Sequence, residues 1–314
     1  MRSILDTCRP RADILGGTFN PEIFTASLSQ VLDFYRGKKT VIHNLYTDAQ
    51  QFFTQATYPT DGLRRVLYEV FGRLSGDNAM PAIHRLETGF GGGKTHTLIA
   101  STHLAFRGRE LAEVVRKTLD SPEHAISAKL SAPGEIAVVG VAGDEIPVSK
   151  PRGAELVPYT LWGEIAFQIG GEALYRTVNA EALSFEEGKT YFEKVFAGRK
   201  VLVMLDELAQ YATRLEGARP SGAQQLAAFL MSLHGYARVN PGVAIVVTLA
   251  GQKDAFARQT QKLVESLSQI RGERVSEEEA LRISERALAD QQSVVARDAT
   301  PVTPVEHHET YSAA

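Results

Sequence analysis

LETGFGGGKT, residues 86–95, joins two apolar segments of different character. Pro81–Leu86 before it is short, whereas Thr95–Phe106 after it repeats apolar side chains at helical spacing. A strand, a glycine-rich loop and a helix that begins with a Lys-Thr pair are the parts of a phosphate-binding P-loop. The stretch therefore predicts a site for a nucleoside triphosphate.

Each part of this loop has a chemical role in that prediction. Glycines allow backbone N–H groups to turn inward around a polyphosphate, and the N-terminus of the helix adds its positive end. Lys94 is predicted to reach the outer phosphates, and Thr95 to offer its hydroxyl to Mg2+. The residues expected to contact ATP are Thr88, Gly89, Phe90, Gly91, Gly92, Gly93, Lys94, Thr95 and His96.

Two features of the motif leave alternatives open. The general pattern has glycine six residues before the lysine, where this chain has Thr88, and the glycine comes one place later at Gly89. A glycine-rich turn between a strand and a helix would also fit, although such a turn does not require a Lys-Thr pair. For His96, packing or a hydrogen bond within the protein is the favoured alternative to nucleotide contact.

A second apolar run, Lys200–Leu205, ends in two carboxylates, Asp206 and Glu207. Continuous apolar runs are typical of parallel strands buried on both faces, and ligands bind at the carboxyl ends of such strands. An unpaired carboxylate is costly to desolvate there, and a bound Mg2+ removes that cost. Asp206 is predicted to hold the metal, through water, and Glu207 to polarise the attacking water. The alternative is a solvated strand end that caps the next helix.

A third apolar run, Val243–Val247, ends in Thr248. In P-loop ATPases of the additional-strand type, the strand beside the acidic one ends in Asn, Ser or Thr, which senses the γ-phosphate and positions the lytic water. Thr248 occupies that place in chain order and is predicted to act in catalysis together with Lys94 and Glu207. Threonine is also a good strand former, so ordinary strand-end packing is the alternative.

Composition predicts an intracellular enzyme domain. The 314 residues are 44% apolar, which suffices for a sizeable core, and a net charge of -3 provides no overall basic field for nucleic acid. Cys8 is the single cysteine, which excludes a disulfide framework and a cysteine-rich metal site. No stretch approaches the ~18 unbroken apolar residues of a membrane span, and Met1–Pro10 lacks the apolar core of a signal peptide. We expect a cytoplasmic protein without membrane association.

Periodicity divides the chain into a helical region (1–80), an α/β core (81–305) and a frayed tail (306–314). The predicted strands are Pro81–Leu86, Ile136–Ala142, Val201–Leu205, Val243–Leu249 and a short fifth strand at Ser293–Arg297. The predicted helices are 20–37, Tyr46–Gln55, one capped by Thr60, Thr95–Phe106, Leu111–Leu119, Leu161–Leu174, Glu186–Phe196, Ala223–Ala237, Lys253–Ile270 and 276–290, with a loop at Glu216–Gly222. This alternation predicts right-handed crossovers and a mostly parallel sheet flanked by helices.

Two segments carry a resemblance to a known family. LETGFGGGKTHT, residues 86–97, preceded by Thr57–Thr60, resembles the domain-of-unknown-function-499 family of bacterial and archaeal ATPases. VLVMLDELAQY, residues 201–211, is similar to the acidic-strand segment of that family. The likeness covers roughly residues 10–305 and includes Thr88 in place of the general glycine.

The resemblance implies an AAA-type P-loop ATPase of the additional-strand type that uses ATP and Mg2+. Members often occur beside DNA methyltransferases and helicases in phage-defence islands. By that association the chain is expected to be the motor or switch of a bacterial DNA-linked antiviral defence system. A methyltransferase or helicase would be its partner protein, DNA would be reached through that partner, and the chain is a candidate homo-oligomer. AAA-type ATPases carry a helical lid after their fifth strand, and we expect that lid to be absent here. Either the chain is a fragment of a larger protein, or it works without a lid of its own.

Two other classes of function stay open. One is a non-hydrolysing nucleotide switch that orders a surface for a partner protein, against which the intact Asp206-Glu207 pair argues. The other is a DNA-binding module that recruits a partner, whose salt-sensitive affinity for DNA would survive Lys94→Ala. The acidic charge balance argues against this second class. A small-molecule kinase is weaker still, because no acceptor-site motif is evident.

Overall fold

The computed structural model describes residue 16 and residues 27–87, 93–153, 155–178 and 182–249. Apart from residue 16, these residues belong to one compact unit, Asn20–Ala280. Several predictions lie outside the described residues: the loop positions Thr88, Gly89, Phe90, Gly91 and Gly92, the start of the first helix, the fifth strand, the last two helices and the tail.

Four parallel strands form the centre of the described part. They are β1 (Ile83–Glu87), β2 (Ile136–Ala142), β3 (Lys200–Asp206) and β4 (Val243–Leu249). Their order in the sheet is β1-β4-β3-β2, and every neighbouring pair is parallel. β4 therefore lies between the strand that precedes the glycine-rich loop and the strand that ends in Asp206.

Both faces of this sheet are buried, which explains the continuous apolar runs in β2, β3 and β4. In β3, Val203 and Leu205 pack into one core, whereas Leu202 and Met204 pack into the other. β4 alternates in the same way. Successive side chains of a strand point to opposite faces, so a strand covered on both sides favours apolar residues at every position.

Helices cover each face of the sheet. One face carries α1 (Leu28–Tyr35), α2 (Ala49–Gln51), α3 (Asp61–Leu74), α4 (Lys94–Arg107) and α5 (Ala112–Thr118). The other face carries α6 (Leu161–Thr177), α7 (Lys189–Phe196), α8 (Leu208–Ala218) and α9 (Gly222–Val239). The predicted fold class, α/β with a mostly parallel sheet flanked by helices, is confirmed. Within the described ranges, no helix combines the length and the apolar character that a membrane crossing requires.

Short helical turns complete the described structure. The 3-10 turns are Asn44–Tyr46, Gly108–Leu111 and Ile126–Lys129, and a π-helical turn, Phe52–Ala56, follows α2 directly. The helix predicted over Tyr46–Gln55 is therefore wrong in its first part, since continuous helical structure begins only at Ala49. Asp48 interrupts it, because its Oδ1 accepts hydrogen bonds from the backbone N–H groups of Gln50 (2.9 Å) and Gln51 (3.1 Å) and so caps a new helix there.

Some of the other predicted boundaries agree with the structure, and some do not. β2 and β4 have the predicted bounds, and Thr60 caps α3 as predicted. The helix predicted from Glu186 begins only at Lys189, because Gly188 adopts a φ of 58° that a helix excludes. The loop predicted at Glu216–Gly222 is wrong in its first part, since α8 continues to Ala218 and packs Tyr211 and Leu215 into the core.

A side chain from α6 occupies the outer edge of β2. Gln168 Oε1 accepts from the backbone N–H of Gly140 at 3.0 Å, and Gln168 Nε2 donates to Gly140 O at 2.8 Å. Arg36 donates to the same Gln168 oxygen at 2.7 Å and to Val138 O at 3.2 Å. Gln168 and Arg36 thereby satisfy backbone groups that an outer strand otherwise leaves to water.

Replacing Gln168 with Leu is expected to lower the free energy of unfolding by about 1–3 kcal/mol, because Gly140 and Arg36 lose polar partners while the side-chain volume changes little. Urea denaturation measures the loss. The matched control is Gln224→Leu on the exposed first turn of α9, which is expected to stay within about 0.5 kcal/mol of the wild type. Equal losses in the two variants would show that the contacts of Gln168 at this edge do not contribute to the free energy of unfolding.

Candidate functional site

The carboxyl ends of β1, β4 and β3 lie side by side, and the predicted site residues that the structure describes lie at these ends. In the register of the sheet, Leu86 pairs with Thr248 and Leu205 pairs with Val247. α4 begins at Lys94, after the glycine-rich loop that follows β1. The strand order therefore brings residues that are far apart in sequence to one edge of the sheet.

Asp206 is the point at which these segments meet. Its Oδ2 accepts a hydrogen bond from Thr95 Oγ1 at 3.1 Å. Its Oδ1 accepts from Thr248 Oγ1 at 2.5 Å and from the backbone N–H of Glu207 at 3.1 Å. Asp206 is only 5% exposed. Burial raises the pKa of its carboxyl above the ordinary range, and the three hydrogen bonds offset part of that rise.

Thr248 links the two acidic residues. Its hydroxyl donates to Asp206 and accepts from the backbone N–H of Glu207 at 3.0 Å. The side chain is fully buried, so both contacts are made without competition from water. Thr248 therefore orients the carboxylate of Asp206 and the backbone of Glu207, while its predicted contact with the γ-phosphate stays a prediction.

Glu207 adopts a backbone conformation that is rare for a residue with a side chain. Its φ and ψ are 49° and 37°, in the left-handed region, which costs roughly 1–2 kcal/mol for a non-glycine residue. The hydrogen bonds from its N–H to Asp206 and Thr248 hold it there. Strain of this kind persists only where the surroundings impose it, and it is concentrated at functional sites.

Gly143, after β2, packs directly against this turn. Its N–H donates to Asp206 O at 2.8 Å. A Cβ atom at position 143 would lie 2.4 Å from Glu207 O, so only glycine fits without displacing the turn. Sequence reasoning missed this role of Gly143, and it also missed Gln210, whose Nε2 donates to Glu207 Oε2 at 2.9 Å. The one available signal for Gln210 was its spacing from Glu207, because residues three apart are neighbours on the surface of a helix.

Gly93 and Lys94 form the start of α4. Gly93 has a φ of 75° and caps the helix, and Lys94 is its half-buried first residue. Lys94 and Thr95 therefore both lie at the positive end of the helix, where anions are stabilised. The structure brings Thr95 into contact with Asp206, as the predicted site requires.

His96 contacts the turn that follows α2. Its Nε2 lies 3.1 Å from Thr57 Oγ1, and its ring stacks on Phe52 with the centroids 4.5 Å apart. Because the Thr57 hydroxyl donates to Phe52 O at 2.8 Å, it must accept from His96, which places the proton on Nε2. The favoured alternative for His96, packing with a hydrogen bond inside the protein, is therefore observed, and its contact with a nucleotide stays a prediction.

The oxygen atoms at this edge suit a hard cation that takes only a few ligands from the protein. Within the described ranges, no group of three or more histidine, cysteine, aspartate or glutamate side chains is arranged to hold a metal ion. Mg2+ does not require such a group, since it binds through one or two protein oxygens together with water and substrate phosphates. Thr95 Oγ1 and the Asp206 carboxylate, 3.1 Å apart, are the residues that could hold it.

Comparison with known proteins adds one finding. The family model of the DUF499 N-terminal domain matches residues 8–274 of this chain. The match spans the glycine-rich loop and every residue described above at the edge of the sheet. A comparison with curated proteins gives no match. The resemblance inferred from the two sequence segments is therefore confirmed at the level of the family.

Two histidines of α4, the partly buried His96 and the fully buried His103, predict a loss of stability in acid. Burial lowers the pKa of His96 to about 4 and that of His103 to about 3, below the ~6.5 of an exposed histidine. Between the folded pKa values and about pH 6.5, the unfolded chain binds more protons than the folded chain. The contribution of these histidines to the free energy of unfolding is therefore fully present above about pH 6.5 and is lost as the pH falls. Each histidine is expected to contribute up to about 1.4 kcal/mol per pH unit, measured by urea denaturation in steps from pH 7 to pH 4.5.

His96→Gln tests the assignment of this slope. Glutamine keeps an N–H donor for Thr57 but does not titrate. The free energy of unfolding of this variant is expected to depend less steeply on pH than that of the wild type. Parallel curves for the two proteins would contradict the assignment to His96.

Proposed function

We propose that this chain, which belongs to the DUF499 N-terminal domain family, binds ATP with Mg2+ and hydrolyses it. One observation carries the proposal: Thr95 Oγ1 donates to Asp206 Oδ2 at 3.1 Å. This bond joins the start of the helix after a glycine-rich loop to the acidic tip of a buried strand. A triphosphate held by the loop would then share its metal with that acidic tip.

The strand order supports an additional-strand P-loop fold. β4 lies between β1 and β3 and ends near Thr248, which bonds directly to Asp206. This strand order supports the proposal because the end of β1, Asp206 and Thr248 lie at one edge of the sheet. The burial of Asp206 is a second support, because a cation would favour the ionised carboxylate that burial disfavours.

Each residue has a role in hydrolysis by in-line attack of water. The loop residues Gly89–Gly93 and the start of α4 bind the phosphate oxygens, and Lys94 stabilises charge on the outer phosphates. Thr95 and Asp206 would hold Mg2+, which would neutralise charge on the phosphate oxygens. Glu207 orients the attacking water and accepts its proton. Thr248 orients the carboxylate of Asp206 relative to the backbone of Glu207.

We further propose that hydrolysis serves a bacterial DNA-linked defence system, in which the chain is the motor or switch and acts with a DNA methyltransferase or helicase. This part of the proposal rests on the resemblance to DUF499 proteins. An ATPase activity that changes when such a partner or DNA is added would support it. The hydrolysis proposal itself is tested on the chain alone.

Lys94→Ala is expected to weaken ATP binding by at least about 100-fold, because the charge that neutralises the outer phosphates is lost. Isothermal titration with ATP and Mg2+ measures the affinity. The control is Lys117→Ala on α5, which removes an exposed lysine that pairs with Glu113 and is expected to leave ATP affinity unchanged. An unaltered affinity in Lys94→Ala would contradict the nucleotide site.

Glu207→Gln is expected to keep ATP affinity within about 3-fold and to lower kcat by about 100-fold or more, because the amide cannot accept the proton of water. Phosphate release measures turnover, and retention of labelled ATP on the protein measures trapping. Glu216→Gln, an exposed change near the end of α8, is the control and should turn over like the wild type. Unchanged turnover in Glu207→Gln would remove Glu207 as the base. A wild type that binds ATP without hydrolysing it would instead favour the nucleotide switch.

A further inference from the structure

The side-chain carboxylate and the backbone of Glu207 form hydrogen bonds with different residues. Gln210 Nε2 donates to Glu207 Oε2 at 2.9 Å. Glu207 is the N-cap residue of α8, yet its side chain accepts no hydrogen bond from the backbone N–H groups of that helix. N-cap side chains commonly make that bond, so the carboxylate of Glu207 is directed elsewhere.

The position of Gln210 explains why it contacts the side chain of Glu207. Gln210 is the third residue of α8, the position from which a Gln or Glu side chain commonly reaches back to the N–H of the N-cap residue. Here that N–H already donates to Asp206 Oδ1 and Thr248 Oγ1. The amide of Gln210 bonds to the carboxylate instead. The backbone and the carboxylate of Glu207 are therefore fixed by different partners.

We propose that Gln210 is the positioning residue for Glu207 in catalysis, an inference that rests on the proposed ATPase function. A general base is effective when a third group orients it toward the proton that it accepts. A glutamate side chain has several rotatable bonds, and the bond from Gln210 fixes the plane of its carboxylate. Gln210 holds Oε2, and Oε1 accepts the proton of the attacking water.

Gln210→Glu separates this role from a role in helix stability. The new side chain has the same shape, but it lacks the N–H donor and places a negative charge against Glu207. An acidic residue in the first turn of a helix is favourable, so a purely structural Gln210 would tolerate the change. We expect kcat to fall by about 10- to 100-fold, with ATP affinity within about 2-fold and the melting temperature retained.

The matched control is Gln224→Glu. Gln224 is also the third residue of its helix, α9, and it is exposed. The substitution makes the same chemical change at the same helical position without a catalytic carboxylate beside it. Its kcat is expected to equal that of the wild type.

The double variant Glu207→Gln/Gln210→Glu shows whether Gln210 acts through Glu207. If it does, the double variant is expected to turn over at the rate of Glu207→Gln alone, because nothing remains to be positioned. A wild-type kcat in Gln210→Glu, or a further loss in the double variant, would overturn the positioning role and leave ATP hydrolysis standing. A wild type without ATPase activity would remove both proposals.

Discussion

The buried carboxylate of Asp206 is the group on which the arrangement of this sheet edge depends. A buried carboxylate is stable only when donors surround it, and Asp206 receives them from α4, from β4 and from the residue that follows it. Because the three donors belong to different segments, all three bonds form only when those segments lie together at this edge. The cost of burying one carboxylate thus restricts how the segments can pack.

Most of the sheet could be predicted from the sequence, because a strand buried on both faces leaves a local signal. The apolar runs at Ile136–Ala142 and Val243–Leu249 gave the strand bounds directly. α8 was missed although Leu208, Tyr211 and Leu215 repeat at helical spacing. The two carboxylates before it and a glycine near its end favour a loop, whereas burial of Tyr211 and Leu215 in the core stabilises the helix.

The candidate site was predictable in its residue types but not in its geometry. Lys94, Thr95, Asp206 and Thr248 follow from their positions next to apolar runs, while their proximity follows from the strand order, which no local pattern encodes. The left-handed backbone of Glu207 is equally invisible, since it depends on contacts with distant segments. The need for glycine at position 143 is invisible for the same reason, because it comes from the close approach of the Glu207 backbone and not from a local motif.

The contact between Gln168 and Gly140 also bears on how other chains can bind. β-augmentation, in which a peptide adds itself to an outer strand, requires backbone groups that are ready to pair. At Gly140 both groups already bond to a side chain of the same chain, so an incoming peptide would have to displace Gln168 first. Occupied backbone groups of this kind disfavour edge-to-edge pairing of strands at that residue.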